Sequence, residues 1–189
     1  IVSNRNLLIK LLRDASGCII GSEQIDRQVL KKCHNLKIIC RFGSGLDNID
    51  LLAAKEMGIK VVNVKAPSIP NSVAIHTISL ILSITQNIKQ HILDSDENKW
   101  KRHLNMPLDE TIIGCVGSGK IGSKVIKMCI ELGFQVFYFS RSRKKNLDNI
   151  GATYIKNLNT LIKRSDIISL HIPKLDQILI DKKIIDKLR

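Results

Sequence analysis

The stretch Thr111-Ile112-Ile113-Gly114-Cys115-Val116-Gly117-Ser118-Gly119-Lys120-Ile121-Gly122 constrains this chain more than any other. A β-branched apolar run leads into Gly117, Gly119 and Gly122. From Ser123 onward, Val125, Ile126, Cys129 and Ile130 recur at helical spacing. Strand, glycine turn and helix, in that order, is the setting in which a G-x-G-x-x-G pattern acquires meaning. Gly117 permits a tight turn off the strand, and Gly119 lets a pyrophosphate approach the backbone without meeting a Cβ. Gly122 lets the helix lie close against the sheet. The helix N-terminus adds free N–H groups and the positive end of the peptide dipoles, which suit a diphosphate. The alternative for the same residues is a glycine turn in an α/β protein that holds no ligand.

The rest of the chain fits an α/β fold with parallel sheets. Apolar periodicity predicts a helix within residues 1–16, then helices over 25–33 and 49–57. Strands are predicted at 17–20, 36–40 and 59–63. This alternation with short links argues for a parallel sheet with helices on both faces. Pro67 and Pro70 mark a boundary, and a long apolar helix is predicted from Val73 to about Ile92. It is apolar on more than one face, which predicts burial between domains or subunits. Residues 94–108, with the single Trp100, read as a linker or wrapping arm. A second unit starts near Leu108, with strands ending at Val116, Phe139, Tyr154 and His171 and a last helix capped by Asp181. The expected domains are therefore 1–70, an interdomain or dimerisation segment at 71–107, and 108–189. A dinucleotide-binding sheet needs about six strands, so the second domain is expected to be truncated. The opening Ile1 carries the same expectation for the first.

Composition narrows the function. A net charge of +13 raises nucleic-acid binding as a possibility, but the lysines are spread along the chain among Asn and Ile. Arg141-Ser142-Arg143-Lys144-Lys145 is the one true basic cluster, so no nucleic-acid partner is expected. Five cysteines without a C-x-x-C pair read as reduced thiols of a cytoplasmic protein. No metal site is expected. Apolar runs are interrupted well before 18 positions, which predicts no membrane span.

The residues after the second strand of the later unit select the dinucleotide. An acidic residue roughly 20 positions past the glycines would bind the ribose 2′-hydroxyl of NAD. Here the chain reads Tyr138-Phe139-Ser140-Arg141-Ser142-Arg143, with no acid. Arg141 and Arg143 can fork onto a 2′-phosphate, and Ser140 can admit and donate to it. NADP(H) is the expected cofactor, with NAD(H) second.

Several separated motifs together resemble the D-isomer-specific 2-hydroxyacid dehydrogenases, which include phosphoglycerate dehydrogenases and glyoxylate/hydroxypyruvate reductases. They are Leu36 through Asp50, Gly58 through Asn63, Asn71 through Thr77, the glycine motif, and Ser165 through Pro173. The resemblance implies a flavodoxin-like substrate domain and a Rossmann nucleotide domain, both doubly wound. It implies hydride transfer between a nicotinamide and a small 2-hydroxy or 2-keto acid, and a homodimer. It maps the substrate carboxylate to Ser44 and Gly45, with Arg41 as a neighbouring anchor. It places Gly117, Gly119, Lys120, Ile121 and Gly122 at the diphosphate and Ser140 and Arg141 at the adenosine ribose. His171, Ile172 and Pro173 line the cofactor. The family's proton-handling Arg, Glu and His are expected beyond Arg189, so no catalytic residue is assigned here and the fragment alone is expected to be inactive. Two departures stand out: Ser140 for the family's common Asp, and Ile75 where Glu is usual. The competing reading is a truncated, inactive dinucleotide-binding or subunit-pairing protein.

Overall fold

The computed structural model describes residues 4–43, 45–64, 68–173, 175 and 178–185. The chain forms two compact units, Ile1–Pro67 and Ser68–Arg189.

The first unit runs α1 (Arg5–Leu12), β1 (Gly17–Ile20), α2 (Arg27–Leu30), β2 (Ile38–Arg41), α3 (Leu51–Glu56) and β3 (Lys60–Asn63). Each helix starts on a side-chain cap. Asn4 accepts from the N–H groups of Asn6 and Leu7, Asp26 from Gln28 and Val29, and Asp50 from Ala53. Such caps satisfy donors that the first turn leaves open. The three strands are parallel in the order β1-β2-β3. Right-handed crossovers that step in one direction put their helices on one face. Ion pairs from Arg5 to Asp26 (2.8 Å) and Arg27 to Glu56 (2.6 Å) tie α1 to α2 and α2 to α3 along that face. Leu8, Leu12, Val29, Leu30, Ala53 and Ala54 pack there with Ile20 and Ile39. Ile19 points to the opposite side and is 79% exposed. The expected cover on both faces is thus present on one face among the described residues.

The second unit opens with α4 (Ser68–Thr85) and α5 (Ile88–Asp96), then β4 (Ile112–Val116), α6 (Lys120–Glu131), β5 (Gln135–Phe139) and α7 (Lys145–Asp148). It continues with β6 (Thr153–Tyr154), α8 (Leu158–Arg164), β7 (Ile167–Leu170) and α9 (Lys182–Ile185). Its parallel sheet has the order β6-β5-β4-β7. The chain steps outward from β4 through β5 to β6, then crosses to the other side of β4 for β7. That reversal is where open α/β sheets hold their ligands, at the carboxyl ends of the strands. Both faces are covered. Ala74, Ile78 and Ile81 of α4 join Val125 and Ile126 of α6 over Ile113, Cys115 and Val136. On the other side Leu161 and Ile162 of α8 meet Val116 and Phe137.

The long helix differs from its prediction at both ends. It starts at Ser68, not after Pro70, because a proline in the first turn gives up an N–H that has no intrahelical partner. It does not run to Ile92: Asn87 adopts φ 51° and breaks it into α4 and α5. α4 also reaches the minimum length and apolarity for a membrane span, 18 residues with mean hydropathy 1.3. Its polar residues escape that count because none is an acid, lysine or arginine. Ser72, Thr77 and Ser79 turn their hydroxyls onto carbonyls one turn back, as such side chains do within helices. Ala74, Ile78 and Ile81 pack into the core, while Val73, Ile75, Leu80 and Ile84 are exposed.

Candidate functional site

The β4–α6 turn is built backbone against backbone. Gly117 has φ +100°, and a Cβ there would collide with the His171 carbonyl oxygen. A Cβ on Gly122 would strike the Gly117 carbonyl oxygen. The protein itself therefore demands both glycines. Gly119 is different. A Cβ added there would meet nothing within 4 Å, so its front opens outward. Gly119 is also the N-cap of α6, and no side chain caps that helix. No acid stands in its first turn either, which leaves the N–H groups of the exposed Lys120, half-buried Ile121 and buried Gly122 at an uncapped, electropositive end. This cradle fits a diphosphate.

His171 borders the cradle. Its N–H donates to the Val116 carbonyl at 2.7 Å, continuing the β4–β7 pairing past Leu170. Its Nε2 lies 2.8 Å from the Ser169 hydroxyl. Burial lowers the imidazole pKa below its ordinary value of 6.5, favouring the neutral ring. Ile172 packs against the Gly117 turn, and Pro173 is exposed. The end of β5 pairs with the end of β4, Phe139 opposite Val116, so Ser140 and Arg141 stand beside the same turn.

The loop after β5 holds two surprises. The Ser140 hydroxyl donates to the Ser142 carbonyl at 2.7 Å, so it is not the free donor the sequence suggested. Its closeness to the loop's own backbone satisfies it. Arg143 Nε donates to Asp148 at 2.7 Å, which leaves Arg141 as the exposed arginine of this loop without a hydrogen bond or ion pair among the described residues.

In the first unit, the turn after β2 takes another form. Gly43 has φ +144°, and a Cβ there would run into the Arg41 guanidinium. Arg41 thus folds over the turn, and its buried Nε has no hydrogen-bond partner among the described residues. Ser44 lies outside the described residues. Gly45 is exposed, and a Cβ there would lie 2.7 Å from Asp47 Oδ1. Asn48 and Asp50 have structural work: Asn48 Nδ2 donates to the Gly21 and Glu23 carbonyls (3.2 and 2.8 Å), tying this turn to the loop after β1. Asp50 caps α3.

Several side chains read otherwise from sequence. Sequence alone assigns His76 to a core or an interface; it is exposed on the outward side of α4, which removes the core assignment. His103 shows no evident partner in the sequence, yet it pairs with the buried Asp94, and its ring meets His91 edge-on at 5.1 Å. Tyr138, Asp148 and Ser169 escaped notice, since their partners become neighbours only through the fold. Burial holds Cys18, Cys115 and Cys129 in the protonated thiol form. Burial first, then neighbouring thiols and Glu23, push Cys18 up to about 11, and burial pushes Cys129 up to about 12. Among the described residues no group of three His, Cys, Asp or Glu side chains is placed to hold a metal.

Residues 3–170 match the family described as D-isomer specific 2-hydroxyacid dehydrogenase, catalytic domain. The chain belongs to this family. Among curated 2-hydroxyacid dehydrogenase relatives, it is 36% identical over 171 residues to D-3-phosphoglycerate dehydrogenase of Methanocaldococcus jannaschii, covering 88% of this chain and 32% of that one. It is 33% identical over 169 residues to hydroxypyruvate reductase of Thermotoga maritima, covering 88% and 54%. Among solved structures, D-lactate dehydrogenase from Aquifex aeolicus, complexed with NAD and lactic acid, superimposes with a TM-score of 0.85. That match has 28% identity and covers 96% of this chain and 56% of that one. The chain thus spans about a third to just over half of the length of these three relatives.

Proposed function

We propose that this chain carries the cofactor and substrate-carboxylate sites of a 2-hydroxyacid dehydrogenase that prefers NADP(H). The observation that carries the reading is the uncapped α6 N-terminus with its open Gly119, flanked by two glycines that the fold requires. A bound nicotinamide dinucleotide supplies the hydride acceptor or donor. Gly119 and the N–H groups of Lys120, Ile121 and Gly122 hold its diphosphate. His171, Ile172 and Pro173 line it, and a neutral His171 adds no charge beside it. Arg141, exposed and without an ion pair among the described residues, pairs with a 2′-phosphate, while Ser140 sets the backbone of that loop.

In the first unit, Arg41 and the turn through Ser44 and Gly45 hold the carboxylate of a small 2-hydroxy or 2-keto acid. The buried Arg41 Nε, which has no hydrogen-bond partner among the described residues, supports this, since such a donor gains most from an anion. The substrate is of the phosphoglycerate or glyoxylate/hydroxypyruvate type. No proton-transfer role is assigned to a residue of this chain. The exposed apolar residues Val73, Leu80 and Ile84, at i, i+7 and i+11 along one side of α4, suit a second copy of the chain. Five free cysteines support a reducing, cytoplasmic setting.

The test is calorimetric titration of the chain with NADPH and NADH, followed by glyoxylate and hydroxypyruvate with cofactor present. Tighter NADPH binding that Arg141→Ala removes supports the cofactor assignment. Keto-acid binding lost in Arg41→Gln supports the substrate site.

A further inference from the structure

The chain contains two tyrosines, and the hydroxyls of both grip the loop that follows β5. Tyr154 donates to the Ser140 carbonyl at 3.3 Å, at the start of the loop. At its far end, the Tyr138 hydroxyl accepts from the Lys144 N–H at 2.8 Å. The same hydroxyl donates to Asp148 Oδ1 at 2.9 Å, and Arg143 Nε donates to Asp148 Oδ2 at 2.7 Å. The two rings lie 5.4 Å apart, tilted by 53°, and Tyr138 is fully buried. Burial pushes the Asp148 carboxyl up, but hydrogen bonds from Arg143 and Tyr138 outweigh it and leave the carboxyl below its ordinary range. Asp148 is therefore a carboxylate with both oxygens committed.

This arrangement divides the two arginines. Arg143, the fourth residue of the loop, faces back onto Asp148 and helps to close it. Arg141, the first residue past Ser140, is left outward. We propose that Tyr138 and Asp148 are positioning residues, a clasp that fixes the 140–144 loop so that Arg141 meets the 2′-phosphate of the cofactor. The inference rests on the NADP(H) reading above and goes beyond it by separating the phosphate-binding arginine from the loop-holding one. A loop pinned at both ends loses little conformational freedom when the phosphate arrives, which favours binding. The clasp acts only through Arg141, so it affects NADPH and leaves NADH largely alone.

The experiment is a double-mutant cycle on the full chain, reading dissociation constants for NADPH and NADH. The variants are Tyr138→Phe, Arg141→Ala and the pair together, with thermal melting to establish folding. Removing the hydroxyl costs about one hydrogen bond, so Tyr138→Phe weakens NADPH roughly fivefold and changes NADH by less than about twofold. In the Arg141→Ala background the Tyr138→Phe effect on NADPH disappears. Equal weakening of both cofactors, or additive effects in the cycle, would overturn the clasp. Asp148→Asn provides a second route if Tyr138→Phe melts: it reproduces the selective loss. A gain in NADPH affinity in Asp148→Asn would make Arg143 the phosphate ligand and also overturn it. A wild-type chain that prefers NADH sinks the cofactor reading and the clasp together. A wild-type chain that prefers NADPH through Arg141, but ignores Tyr138 and Asp148, sinks the clasp alone.

Discussion

Both units end a parallel strand in a glycine turn that leads to a helix, yet the two turns are finished differently. After β4, the glycines meet backbone: Gly117 lies against the His171 carbonyl, Gly122 against Gly117, and Gly119 faces open space. After β2, the glycines meet side chains: the Arg41 guanidinium lies over Gly43, and Asp47 crowds Gly45. Backbone packed on backbone leaves a smooth cradle with fixed N–H donors, suited to a long diphosphate. A turn roofed by a guanidinium is smaller and carries a localised positive charge, suited to one carboxylate. On the proposed assignments, the same local grammar serves two anions of different size.

The largest expected effect tests the backbone-built turn. Gly122→Ala drives a Cβ into a carbonyl oxygen with no flexible side chain to yield. It should cost about 3 kcal/mol, seen as a fall of roughly 6–12 °C in melting temperature. Gly119→Ala should separate binding from stability. Its φ of −74° suits alanine, so stability should change by less than about 0.5 kcal/mol. The dissociation constant for NADPH should nevertheless rise about tenfold or more, as measured by calorimetry. If Gly119→Ala binds normally, the opening at that residue is not where the diphosphate lies. Arg41→Gln addresses the other turn. It should weaken glyoxylate or hydroxypyruvate roughly tenfold, because a charged hydrogen bond is worth about 1.5–3 kcal/mol, and should leave NADPH affinity unchanged.

The smallest effect is a pH dependence near the cradle. Burial lowers the His171 pKa in the folded chain below 6.5, so the unfolded chain takes up that proton first. Stability is then fully present above about pH 6.5 and declines as pH falls towards the folded value. Denaturant melts between pH 7.5 and 5 should show this decline, and His171→Asn should reduce it. A decline that the variant leaves unchanged assigns it to other groups.

Much of this was legible because it is local. The strand–glycine–helix pattern, the cap Asp181 and the parallel βα alternation are set by neighbours a few residues apart. The positions of Gly117, Gly119 and Gly122 also followed from their spacing. What escaped depends on contacts the chain makes only after folding. Asp94 and His103 pair across a helix end and an irregular segment. Asn87 breaks a helix that apolar periodicity carries straight through, since periodicity registers faces and not a single residue at φ 51°. Arg141 and Arg143 look equivalent in sequence; only Asp148, reached through α7, sets them apart. Ser140 is the exception, its hydroxyl going to a carbonyl only two residues on.

The central claim is that the β4–α6 turn and the loop after β5 together bind NADP(H). Titration of the folded wild-type chain with NADPH and NADH, side by side at one ionic strength, tests it most directly. Saturable binding of both with NADPH the tighter is the predicted result. A folded chain that binds neither, or that binds NADH more tightly, would contradict it.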